Sequence, residues 1–137
     1  MSRKVARELS FKVIFSFNFQ SENEEIEALI DNLENETNDI TNEDKEYIRQ
    51  IIKGIIDNKE NLDETIKKYL KEWTMDRISK TDLAILRLAI YEILYRDDIP
   101  YKVSVNEAVE LAKSFSDDQS PSFVNGVLAG VISGLDK

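Results

Sequence analysis

Arg3, Lys4 and Arg7 crowd the first seven residues, and Phe11 and Phe15 follow Arg7 at steps of four. Wound at about 100° per residue, the chain sets Lys4, Arg7, Phe11 and Phe15 along one line of a helix. Cations interleaved with aromatic rings suit single-stranded RNA, because the charged groups take phosphates while the rings stack on splayed bases. Double-stranded DNA would need a longer basic stripe and a groove-reading helix. The plainer alternative is that Phe11 and Phe15 are core residues and the cations ordinary surface charge. Core aromatics are the commoner case, and from these residues alone both readings stand.

Other chemistry is scarce. The chain contains no cysteine and no histidine, which excludes disulfides, thiolate or imidazole metal sites, cysteine nucleophiles and the commonest general base. Carboxylate pairs such as Glu24/Glu25 and Asp97/Asp98 lack the glycine-rich loop or buried setting of an acid–base dyad. Asn106 and Glu107 are read as first-turn helix residues rather than as a site. No catalytic constellation, metal or cofactor is expected.

The net charge of −9, taken as a whole, opposes a polyanion ligand. Its distribution resolves the conflict. Residues 21–46 hold eleven Asp and Glu against one Lys, so the remainder of the chain is nearly balanced. A basic patch outside that run keeps its own field over a Debye length of about 8–10 Å. The acidic run itself reads as a solvated face.

Apolar spacing is helical almost throughout, with few prolines and glycines. The spacing predicts helices near 3–19, 23–36, 42–57, 59–72, 80–96, 104–115 and 120–135. In the first, Leu9, Val13 and Phe17, with Ala6 and then Gln20, form the inner side, so Arg3, Lys4 and Arg7 fall on the outer side. Capping patterns mark the starts: Ser21…Glu24, Thr41…Asp44, Ser79…Asp82, Ser104…Glu107, and Ser120 before Pro121. A break is expected around residues 57–61. Residues 83–94 are apolar nearly all round and predict the most buried helix. Gly126, Gly130 and Gly134 bare one helix face for close packing by another helix. The result is a single all-α domain over 1–137. No segment offers the roughly 20 apolar residues a membrane span needs, nor the apolar core of a signal peptide. A cytoplasmic protein is expected.

Five stretches together resemble the bacterial NusB family of transcription antitermination and ribosomal-RNA processing factors. They are A-R-E-x-x-x-x-x-x-F at Ala6–Phe15, I-L-R-L-A-x-Y-E at Ile85–Glu92, I-P-Y-K-V at Ile99–Val103, N-E-A-V-E-L-A-K-S-F at Asn106–Phe115 and F-V-N-G-V-L at Phe123–Leu128. The resemblance covers essentially the whole chain. It implies about seven helices in two small bundles packed crosswise, and a non-catalytic function. With NusE, a small-subunit ribosomal protein, such a factor holds the single-stranded boxA element of nascent RNA for an RNA polymerase carrying other Nus factors. The chain would be a monomer or a homodimer.

The resemblance further implies RNA-binding roles for Arg3, Lys4, Arg7, Lys12, Phe15, Gln119, Ser120 and Phe123. It implies a NusE-facing surface around Tyr69, Asp76 and Asp82. Several positions depart from the family pattern: Lys4 stands where arginine is common, Phe15 where tyrosine is usual, Gln119 where some members carry an acid, and Ser122 and Ala129 where polar or charged residues are frequent. Lysine offers a point charge in place of a bidentate fork. A NusB-like domain also precedes the catalytic domain of some ribosomal-RNA cytosine methyltransferases, but this chain has neither the cysteine nor a cofactor-binding βα pattern.

Overall fold

A computed structural model describes residues 3–16, 27–32, 41–70 and 74–135. The helices are α1 (Arg3–Ser16), α2 (residues 27–32), α3 (Asn42–Asp57), α4 (Lys59–Lys68), α5 (Lys80–Tyr95), α6 (Tyr101–Phe115) and α7 (Ser120–Leu135), with a short 3-10 turn at Met75–Arg77. No strand occurs among the described residues. The chain divides into two compact units, Met1–Ile56 and Asp57–Lys137. Phe17, Gln20 and the Ser21…Glu24 pattern lie outside the described residues, as does most of the acidic run.

In the first unit, Ala6, Phe11, Val13 and Ile14 of α1 are buried, as are Tyr47, Ile48, Ile51, Ile52 and Ile55 of α3. The α3 set recurs at steps of three and four, the period of one helix face. Thr41 starts this helix as its spacing predicts, its Oγ1 accepting the Asp44 amide at 3.1 Å. Two acids of the run are engaged within the unit: Glu27 meets Arg49 and Lys53, and Asp31 meets Arg49. Hydrogen bonds from Lys53 and Arg49 hold the Glu27 carboxyl below its ordinary pKa.

In the second unit α5 packs against α4, α6 and α7. Ile85, Leu86 and Ile90 are fully buried, each worth about 1.5–3 kcal/mol of apolar transfer. Ser79 caps α5, accepting the Asp82 amide at 3.1 Å. The break before α4 falls at Asn58, whose carbonyl accepts the Leu62 amide at 2.9 Å. Asp63 of α4 takes a two-pronged contact from Arg87 of α5, at 2.8 and 3.0 Å. Burial raises the Asp63 pKa, but the hydrogen bonds from Arg87 and Lys59 outweigh it and the net shift is downward.

One expected helix start and one expected cap are corrected, while α7 spans 120–135 as predicted. α6 begins at Tyr101 rather than residue 104, because the carbonyl of extended Pro100 accepts the amides of Val103 and Ser104 at 3.0 and 3.3 Å. The Ser104 hydroxyl is buried inside that helix and donates to Glu92 of α5 at 2.7 Å, so the Ser104…Glu107 box is not used. Ser120 is the first residue of α7 rather than its cap. The capping acceptor is the Asp117 carboxylate, which receives the amides of Gln119 and Ser120 at 3.0 and 3.1 Å. The glycine face of α7 takes a ring instead of a helix backbone: a Cβ on Gly130 would lie 2.8 Å from Cδ1 of Tyr69, and one on Gly134 would overlap the Tyr69 hydroxyl.

Candidate nucleic-acid interface

The basic start does not form one exposed patch. The buried arc of α1 runs from Val13 through Ala6, Ser10, Ile14 and Arg7 to Phe11. It is turned from the expected stripe of Leu9, Val13 and Phe17, and Leu9 is only half-buried. Arg7 is 5% exposed, with its guanidinium carbon 5.9 Å from the centre of the Tyr47 ring. Arg3 lies over the same ring at 4.4 Å and pairs with Glu43 and Asp44 at 3.6 and 3.7 Å. The expectation that both arginines sit on the outer side is therefore corrected. Tyr47 and the acids at the start of α3 hold them inward.

Lys4, Glu8, Lys12 and Phe15 make the outer face instead. Lys4 is exposed, and Phe15 is 48% exposed beside buried Phe11, with ring centres 6.1 Å apart. Lys12 reaches Glu8 at 3.4 Å, a surface pair worth about 0–1 kcal/mol and easily exchanged for a phosphate. Lys4, Lys12 and Phe15 thus follow one another along an exposed face, cations and then a ring, an order that suits a single strand.

The second unit carries a cleft of about 670 Å³ at the start of α5 and the α6–α7 loop. Gln119, Ser120 and Phe123 all line it, together with Arg77, Ile78 and Asp118. Gln119 is exposed, Phe123 is half-buried, and Ser120 is buried at 2% exposure. Ser120 thus acts on the shape of the loop. Its hydroxyl lies 2.9 Å from Asp82, 3.0 Å from Asp117 and 2.7 Å from Ser116. Arg77 and Ser116 have no local signal in the sequence; Asp117 has one, an acid three residues before the first residue of α7.

The implied partner surface also divides. Asp76 is exposed and accepts from the Thr74 hydroxyl. Tyr69 is half-buried against the glycines of α7, with the Lys68 ammonium 5.5 Å from its ring centre. Asp82 is buried at 7% exposure, and its carboxylate accepts from Ser116 and Ser120. Its placement on an open partner surface is corrected. Among the described residues no group of His, Cys, Asp and Glu is arranged to hold a metal. No helix there is long and apolar enough to cross a membrane.

The sequence profile of the NusB family matches residues 4–133. The transcription antitermination protein NusB of Acetivibrio thermocellus is 48% identical over 132 residues, covering 96% of this chain and 89% of that protein. The chain belongs to the NusB family. T. maritima NusB superposes with a TM-score of 0.86 at 32% identity, over 97% of this chain and 92% of that one. A crystal structure of the antitermination factors NusB and NusE in complex with dsRNA matches with a TM-score of 0.83 at 26% identity, over 96% of each chain. The NusB-family helical fold accounts for both compact units, and the outer face of α1 and the cleft of the second unit are its candidate contact surfaces here.

Proposed function

We propose that this chain is a non-catalytic antitermination factor that binds the single-stranded boxA element of nascent RNA together with NusE, in support of ribosomal-RNA operon transcription. The observation that carries the RNA reading is the outer face of α1, along which Lys4, Lys12 and then the open Phe15 ring are exposed. Phosphates pair with the ammonium groups and an unstacked base lies on the ring. Phe123, Gln119 and Arg77 offer a second aromatic, an amide and a guanidinium at the cleft. The solved complex of NusB and NusE with dsRNA supports the choice of protein partner, and the exposed Asp76 suits a basic ribosomal protein. RNA polymerase and other Nus factors complete the assembly, and the cytoplasm is its place.

Lys4 and Phe15 also bear on strength. A point-charge lysine and a ring without a hydroxyl give weaker, less directional contacts than arginine and tyrosine. Binding by the chain alone is therefore weak and tightens with NusE. The test is binding of a labelled boxA-like strand, with and without NusE, against its own duplex as competitor. Preference for the single strand and tightening by NusE support the reading. Equal competition by the duplex removes the single-strand assignment, and no binding in either case leaves a protein-only adaptor.

A further inference from the structure

We propose that Asp82 is a positioning residue for RNA binding: it clamps both ends of the α6–α7 loop and so sets the pose of Gln119 and Phe123 without touching the ligand. This rests on the RNA reading of the cleft given above. Asp82 stands in the first turn of α5, its amide held by Ser79. One carboxylate oxygen accepts from Ser116 at 2.8 Å and the other from Ser120 at 2.9 Å. Ser116 closes α6, its amide donating to Ala112, and Ser120 opens α7. Both grips are long-range, 34 and 38 residues away in sequence.

The loop between the grips contains no glycine, and its own hydrogen bonds run to Asp117, which holds the Gln119 and Ser120 amides. Two carboxylates thus determine its shape. Hydrogen bonds to an ionised acceptor are about twice as strong as neutral ones, and here one acceptor is nearly dry. A loop ordered in the free protein does not have to be ordered on binding, which is how preorganisation raises affinity.

Asp82→Asn removes the second full acceptor while keeping the side chain's shape. Deleting a negative charge beside a polyanion would by itself tighten binding; the clamp predicts the opposite sign. RNA affinity should fall roughly 3- to 10-fold, amide hydrogen exchange at Gln119 and Ser120 should quicken, and the log–log salt slope should hold because no phosphate contact is lost. Ser116→Ala, which leaves the charge in place, should loosen the same amides and weaken RNA in the same direction. Combined with Asp82→Asn it should add little, since one clamp is removed twice.

Unchanged or tighter RNA binding by Asp82→Asn, unchanged exchange, or full additivity with Ser116→Ala overturns the proposal. If Asp82→Asn does not fold, Ser116→Ala alone decides it by the same two readouts. A wild-type chain that binds no RNA fails the functional reading instead. That failure is told apart from failure of the clamp by a wild type that binds while the variants match it.

Discussion

Arg7 keeps its guanidinium carbon 5.9 Å from the centre of the Tyr47 ring and is 5% exposed, although its neighbour Lys4 is open to solvent. One turn of helix thus separates a cation that stabilises the fold from one free to meet a ligand. Arg7→Ala should lower stability by about 1–3 kcal/mol, through lost packing of the side-chain stem and the ring contact. Lysine should restore little of it, having no planar group to lay on the ring. Urea unfolding of the two variants checks this; a wild-type midpoint for Arg7→Ala would return Arg7 to the surface.

Lys4→Ala and Lys12→Ala should behave in the opposite manner. Their unfolding midpoints should match the wild type, while each takes about 0.7 from the salt slope of single-strand binding. Denaturation curves paired with RNA titrations at several salt concentrations measure both quantities.

Phe15 is the aromatic of α1 that a base can reach. Phe15→Ala should weaken RNA by about 1–3 kcal/mol, the usual worth of a base–ring stack, and Phe15→Tyr should hold or improve on the wild type. A neutral Phe15→Ala would move the stacking role elsewhere.

Two glycines on one face of α7 should respond with opposite signs. Gly126 has open space around a would-be Cβ and no positive φ, so Gly126→Ala should stabilise by up to about 1 kcal/mol through helix propensity. At Gly130 the added atom would meet the Tyr69 ring at 2.8 Å, and Gly130→Ala should destabilise because the ring must move. Thermal unfolding of the pair reads the contrast directly.

Asp63 supplies the pH dependence. Its carboxyl ordinarily titrates at 3.8 and is held lower in the fold by the hydrogen bonds from Arg87 and Lys59, against the upward push of burial. A lowered folded-state pKa means the stabilisation is complete above 3.8 and is lost as the pH falls through the lowered value. Asp63→Asn should therefore be less stable at neutral pH and lose less on acidification. Stability measured by urea across the acid range would refute this if the two curves ran parallel.

Local patterns were legible where the chemistry is local. Thr41 and Ser79 cap their helices as spacing predicts, because a cap needs only an amide three residues on. Apolar residues nearly all round the helix also identified α5 as the buried one. Ser104 looked like another cap, but its hydroxyl serves Glu92 on the preceding helix, and Pro100 starts α6 a turn earlier. Arg3 and Arg7 counted as outward charges because hydropathy cannot register a ring forty residues away. Asp82 was likewise hidden, since its serines lie beyond a whole helix hairpin. What escaped the sequence in each case was a long-range polar partner.

The most direct test of the account is titration of a labelled boxA-like single strand across a salt series, comparing the wild type with the Lys4→Ala/Lys12→Ala double variant in the presence of NusE. A negative log–log slope is expected for the wild type, shallower by about 1.4 in the variant at unchanged protein stability. Identical slopes would contradict it, by showing that the outer face of α1 does not carry the RNA.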